Sequence, residues 1–179
     1  MRQENSKDGT TMDLIVKNSH SALWGDTEFP CAIGRGGVIA PNAKKEGDGA
    51  TPAGRWLMRE VFYRADRVKK PETILPVRAL CPQDGWCDAP NDPNYNKFVQ
   101  HPYPASAEHL WRDDALYDVI VVLGYNDDPV VLGKGSAIFL HLARPDLGPS
   151  TGCVHLRLED MLRVLGEATA ASTVVIPTP

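Results

Sequence analysis

Residues Ile138 to Leu158 read IFLHLARPDLGPSTGCVHLRL, and this stretch decides most of the fold. Ala137 to Leu142 (AIFLHL) is a short apolar run preceded by Gly133 and Gly135, the pattern of a buried strand. A polar, Pro- and Gly-rich loop of nine residues follows, Ala143 to Thr151, and Gly152–Cys153 then leads toward a helix. Leu158, Met161, Leu162 and Leu165 recur at i, i+3, i+4 and i+7, the stripe of an amphipathic helix. Upstream, Asp118 to Leu123 (DVIVVL) is a second buried strand ended by Gly124, and Thr173 to Ile176 (TVVI) closes the chain with a third, stopped by Pro177.

Toward the N-terminus, Asp13 to Lys17 and Phe29 to Ile33 read as short strands, and Arg55 to Arg64 as a longer one rich in aromatic and β-branched residues. The loop Gly34 to Gly37 lacks the Lys-Ser/Thr ending of a phosphate-binding loop. Lys44 to Gly54 (KKEGDGATPAG) is a turn cluster. Pro71 to Pro104, with its prolines, Asp, Asn and aromatic residues, predicts a long ordered loop insertion laid over a sheet face. Ser106 to Leu116 predicts a short helical turn. The expected fold is therefore mainly β: a β-sandwich-like domain over residues 12–179, with one late amphipathic helix and a disordered polar tail at residues 1–11.

Composition narrows the function classes. With 19 Lys+Arg against 23 Asp+Glu the net charge is −4, which supports no general nucleic-acid binder. Arg55, Arg59, Arg64, Arg67, Lys69 and Lys70 make one region locally basic, either a solvated face or a site for an acidic ligand. Fifteen glycines and fifteen prolines in 179 residues argue for many turns and against a helical bundle. The longest apolar runs are far too short to span a bilayer, and Met1 to Thr11 carries no secretory signal. None of Cys31, Cys81, Cys87 and Cys153 forms a C-x-x-C pair. Cys81 and Cys87 flank a turn-forming segment, so either a local disulfide or two reduced thiols fits.

The chemistry concentrates at the loop between His141 and Cys153. A cysteine nucleophile acts as its thiolate, and an imidazole or oriented backbone amides favour that form. The loop can fold back to bring His141 beside Cys153 as general base, with the amides of Gly152 and Cys153 facing a developing oxyanion. Ser150 and Thr151 are small and polar enough to support the loop or bind substrate. If the chain runs extended from Cys153, His155 looks into the same site. Two other readings stay open on these residues alone: a buried structural cysteine, and a zinc site from His141, Cys153 and His155 that lacks an evident fourth ligand.

Ser150-Thr151-Gly152-Cys153-Val154 with its upstream strand histidine resembles the L,D-transpeptidase catalytic domain (YkuD family). So does Glu46 to Gly54, which is similar to the family's G-D-G-x-T-P-x-G turn; Gly85 to Asp88, Tyr95-Asn96 and Leu110 to Asn126 resemble a short bacterial branch. Two positions depart from the pattern: Thr151 replaces the usual His before Gly-Cys, and His155 stands where Arg or Asn is common. The resemblance implies a peptidoglycan L,D-transpeptidase with Cys153 as nucleophile, His141 as general base and the Gly152 backbone in the oxyanion hole. Substrate contacts then fall to Arg144, Ser150, Thr151 and His155. It implies stem peptides as donor and acceptor, no metal or organic cofactor, and a cell-envelope or periplasmic location, with the cytoplasm left open by the missing signal. The alternatives are an L,D-carboxypeptidase or cysteine hydrolase on the same fold, and a non-catalytic wall-binding module.

Overall fold

Short β-branched runs punctuated by turn residues become strands, and the structure, a computed structural model, describes residues 11–178. Apart from Thr11, the expected tail lies outside the described residues. β1 (Leu14–Asn18), β2 (Ser21–Trp24) and β3 (Thr27–Ala32) form an antiparallel meander. β6 (Gly54–Tyr63) is the hub of the fold. Its first half pairs with β14 (Thr173–Ile176), and its second half with β11 (Val119–Leu123) and β7 (Val77–Ala79). From β11 the sheet runs through β12 (Phe139–Leu142) and β13 (Val154–Leu156) to β3, and from β14 through β1 and β2 to the same β3. The strand order thus closes on itself, as two sheets sharing β3 and β6. The mainly-β expectation holds.

Most of β11 to β13 is buried on both faces, which is why these runs do not alternate with polar residues. Val119, Val121, Leu140, Leu142, Val154 and Leu156 point into the main core. Ile120, Val122, Phe139 and Cys153 point the other way, into a second apolar layer. That layer is closed by the insertion, whose strands β8 (Asp84–Cys87), β9 (Phe98–Gln100) and β10 (Ala107–His109) form a separate sheet in the order β10-β8-β9. Trp86 of β8 meets Phe139 edge-on at 5.1 Å, so the insertion is packed cover.

Two local expectations are corrected. Ala107–His109 is strand, not a helical turn, because it pairs with Cys87, Trp86 and Gly85 of β8. The helix α1 (Leu158–Glu167) buries Met161, Val164 and Leu165, while Leu158 and Leu162 are each 39% exposed. The buried face is thus rotated from the expected stripe, because Val164 rather than Leu162 meets the core. Of the two readings of Cys81 and Cys87, the structure has the free thiols, Cys81 exposed at the turn before β8 and Cys87 buried at its end. The basic run is spoken for internally, since Arg55, Arg59, Arg64 and Arg67 pair with Asp13, Asp127, Asp66 and Asp118.

Three loops meet where Cys153 is delivered. Ser150 N–H donates to Ile33 O at 2.9 Å, Arg35 N–H to Ser150 O at 2.9 Å, and Gly36 N–H to Gly49 O at 3.0 Å. Thr51, in the short strand β5 (Thr51–Pro52) that pairs with β4 (Val38–Ile39), accepts the Gly34 N–H on Oγ1 at 2.8 Å. The backbones cross so closely that a Cβ on Gly34 would lie 2.3 Å from Gly49 O and 2.9 Å from Gly152 Cα. Gly152 itself has φ +136°, and its Cβ would press on Ala50 O at 3.0 Å. Gly34→Ala is therefore expected to cost about 3 kcal/mol in urea unfolding. Gly47→Ala, where φ is +77° and nothing lies within 4 Å, should cost only about 1 kcal/mol. Equal losses at the two positions would show that the crossing is not tight.

Candidate active site

β12 and β13 run parallel, with Leu140 opposite Val154 and His141 opposite His155. Cys153 precedes Val154, so it falls opposite Phe139 and on the same sheet face as Phe139, His141 and His155. The Phe139 N–H donates to Cys153 Sγ at 3.4 Å, and Sγ lies 3.2 Å from Ala137 O as a donor. From strand geometry the Cα atoms of Cys153 and His141 are roughly 8 Å apart, a span that their side chains can close. The His141 and His155 ring centroids lie 4.3 Å apart with the planes tilted by 35°, and the Tyr117 ring stands edge-on to His141 at 5.0 Å.

The His141 ring is oriented by its own strand. Nδ1 lies 2.9 Å from Leu142 O, and as the N–H donor there it leaves Nε2 as the basic nitrogen. Burial, then the neighbouring His155, lower its pKa to about 3, so the imidazole is neutral at any ordinary pH. Burial likewise pushes the Cys153 thiol up to about 12, against a small opposing effect of the Phe139 N–H. The resting pair is thus thiol and imidazole, not thiolate and imidazolium.

The loop residues are placed as follows. Ser150 Oγ donates to Cys153 O at 2.7 Å and accepts the Gly152 N–H at 3.0 Å. That bond engages the Gly152 amide expected in the oxyanion hole, which leaves the Cys153 amide as the nearer free donor. What Gly152 supplies is the close approach to Ala50, for want of a Cβ. Thr151 is exposed and lines both cavities that meet at the site. One cavity, about 340 Å³, contains Cys153 with Glu46, Asp88 and Ser136. The other, about 290 Å³, contains His141 and His155 with Arg144 and Arg112. Of the expected site residues, Cys153, His141, Arg144, Ser150, Thr151 and His155 line the two cavities, which share Thr151, while Gly152 lines neither.

Two further residues belong to it. Tyr117 O–H donates to Glu108 Oε1 at 2.7 Å, and both line the two cavities. Burial raises both pKa values, so Tyr117 stays a phenol and Glu108 is held above the usual carboxylate range. The insertion supplies Glu108 from β10, where sequence reading expects a helical turn. Tyr117 stands two residues before β11, so only its nearness to a strong strand signal could have marked it. Among the described residues no three His, Cys, Asp or Glu are grouped to hold a metal ion.

Comparison with protein families places this geometry. The L,D-transpeptidase catalytic domain (YkuD) matches residues 9–176, nearly the whole chain. The chain belongs to that family. No curated protein and no solved structure matches it. The match supports an L,D-transpeptidase-family catalytic domain over nearly the whole chain, and Cys153 is buried in it.

Two measurements check the electrostatics. With the thiol near 12, iodoacetamide alkylation followed on the Cys153 peptide should rise about tenfold per pH unit from pH 6 to 9. A plateau below pH 8 would mean a preformed thiolate. Acid stability tests the histidines. His155 is lowered to about 4, first by burial and then by Arg144. Below pH 6.5 the unfolded chain takes up protons that folded His141 and His155 refuse. The stability present above pH 6.5 is therefore lost as pH falls toward 4, at about 1.4 kcal/mol per pH unit for each histidine. His155→Gln should flatten the slope of unfolding free energy between pH 6 and 4.5 by that amount; an unchanged slope would place a charged His155 in the folded protein.

Proposed function

We propose that the protein is a peptidoglycan L,D-transpeptidase that joins stem peptides through a Cys153 acyl-enzyme. The observation that carries this reading is the placement of Cys153 and His141 on one face of adjacent parallel strands, each opening into one of two joined cavities. Cys153 Sγ attacks the carbonyl of the diamino-acid residue in a tetrapeptide donor while His141 Nε2 takes the thiol proton. The Cys153 amide donates to the tetrahedral oxyanion. His141 then passes its proton to the departing amine, and terminal D-alanine leaves. The side-chain amine of a second stem attacks the thioester, its surplus proton passes through His141 to the departing Cys153 Sγ as the C–S bond breaks, and a 3–3 cross-link forms. Ser150 holds the Gly-Cys turn, so its role is positioning.

Stem peptides lie outside the cytoplasmic membrane, so this activity belongs to the cell envelope or periplasm. No helix among the described residues is long and apolar enough to cross a membrane. No metal or organic cofactor enters any step.

Mass spectrometry of the products from a defined tetrapeptide stem tests the reading. Dimers and a Cys153 acyl adduct support it. Tripeptide and free D-alanine without dimers would make the protein an L,D-carboxypeptidase, and neither product nor adduct would make it a wall-binding module. Cys153→Ala should abolish turnover and leave thermal unfolding within a few degrees of wild type. His141→Ala should lose roughly 10²–10⁴-fold, and His155→Ala less than about tenfold. Equal losses at the two histidines would reverse their ranking.

A further inference from the structure

The Tyr95-Asn96 pair takes no part in the acyl-transfer steps, yet its side chains grip the segment that leads into β12. Tyr95 Oη accepts the Gly135 N–H at 2.9 Å, and Asn96 Oδ1 accepts the Ala137 N–H at 3.0 Å. The same Asn96 oxygen accepts the Trp86 indole N–H at 2.9 Å. Its amide nitrogen donates to Tyr125 O at 3.1 Å and to Asn126 O at 2.8 Å. Two donors face the oxygen and two carbonyls face the nitrogen, so the full hydrogen-bonding capacity of this buried side chain is used.

What this amide holds is unusual. Ala137 has φ +51°, in the left-handed region that alanine seldom occupies and that concentrates at functional sites. Asn96 fixes the peptide plane on the N-terminal side of Ala137. The left-handed turn then directs the next plane, whose carbonyl accepts the Cys153 S–H at 3.2 Å, while the sulfur accepts the Phe139 N–H at 3.4 Å. In the register of β12 and β13, Cys153 falls opposite Phe139. Ala137 is two residues before that point and His141 two residues after it, on opposite sides of the sulfur along the strand. A thiol proton held on Ala137 O is therefore turned away from the base.

We propose that Asn96 is a positioning residue for the nucleophile: through Ala137 it holds the Cys153 S–H on a backbone carbonyl and away from His141, so that the free protein is latched. Attack begins when the S–H leaves that carbonyl for the imidazole. The latch makes and breaks no covalent bond; one hydrogen bond, S–H to Ala137 O, is exchanged for another, S–H to His141 Nε2. A hydrogen bond donated by the thiol favours its neutral form, so the latch acts in the same sense as burial. The swing toward His141 rests on the transpeptidase reading above; the resting direction of the S–H does not.

The infrared S–H stretching band reads that direction, because donating a hydrogen bond moves it to lower frequency. The Cys153 band is obtained from the full chain by subtracting the spectrum of the same protein carrying Cys153→Ala. In the wild type it should lie below the Cys31 band, obtained likewise with Cys31→Ala, since Cys31 Sγ is 3.9 Å from its acceptor, Asn18 O. Asn96→Gly suits the φ of +56° at this position and removes the gripping side chain. Its Cys153 band should rise toward that of Cys31, and iodoacetamide alkylation of the Cys153 peptide at pH 8 should quicken at least about threefold, as for one hydrogen bond lost. Trp86→Phe removes the indole donor but leaves Asn96 on Ala137, so band and rate should stay at wild-type values. Alkylation of Cys87 reports a loosened insertion, because the Asn96 N–H donates to Cys87 O at 2.9 Å. An unmoved Cys153 band in Asn96→Gly, Cys87 quickening there as much as Cys153, or the same band shift in Trp86→Phe overturns the latch. If Asn96→Gly does not unfold cooperatively, Ala137→Val carries the same test, its branched side chain disfavouring the left-handed φ with Asn96 in place. A wild-type band that moves as expected in the variants, in a protein that no tetrapeptide donor acylates, would remove the transpeptidase reading and leave the latch.

Discussion

The close crossing of three backbones at Gly34, Gly49 and Gly152 is the constraint on which the site depends. Each lies in a loop distant in sequence from the other two, and no side chain fits between them. Their hydrogen bonds fix Ser150 against Ile33 and Arg35, and Ser150 in turn closes the turn over Gly152 and the carbonyl of Cys153. Asp48 holds the middle loop: burial alone would raise its carboxyl, but Lys44 and the N–H groups of Lys45 and Ala50 hold it below the usual range. The sulfur is therefore aimed by backbone packing together with the Ser150 hydroxyl.

Burial then sets the terms of the chemistry. Burial raises the Cys153 thiol and lowers the His141 imidazole, so both shifts oppose moving the proton from sulfur to nitrogen in the free protein. An ion-paired dyad is thus an expensive state reached during attack, not the resting form. His141 is not among the causes of the Cys153 shift: burial raises the thiol and the Phe139 N–H opposes it.

Much of this was legible in the chain. The strands at 118–123, 137–142 and 173–176 announced themselves because both-face burial leaves continuous apolar runs, and the Gly-Cys loop with its upstream His marked the reactive pair. The extended step from Cys153 to His155 was readable from the period of two. What resisted reading was set by tertiary pairing. Ala107–His109 is a strand because β8 is beside it, and the helix turns Val164 inward because Leu162 finds only the flank at Arg67 to Glu72. Glu108 gave no signal and Tyr117 only its nearness to the strand at 118–123, since a carboxyl and a phenol nine residues apart acquire meaning only when the insertion folds over the sheet.

That cover is where fold and reactivity become one problem. The insertion closes the outer face of β11 to β13 with Trp86, Leu110 and Tyr117 and thereby removes water from Cys153 and His141. The same desolvation that keeps the sulfur protonated keeps it from ordinary oxidants and alkylating agents, whose reaction needs thiolate. Cys31 shows that burial alone is not activity: its thiol is also pushed up to about 12, but it packs in the main core away from any base. Cys153 differs by lying at the edge of a cavity, with a bare imidazole nitrogen on the next strand. A peptide carbonyl that enters this cavity meets a latent nucleophile, a thiol whose proton is directed to Ala137 O.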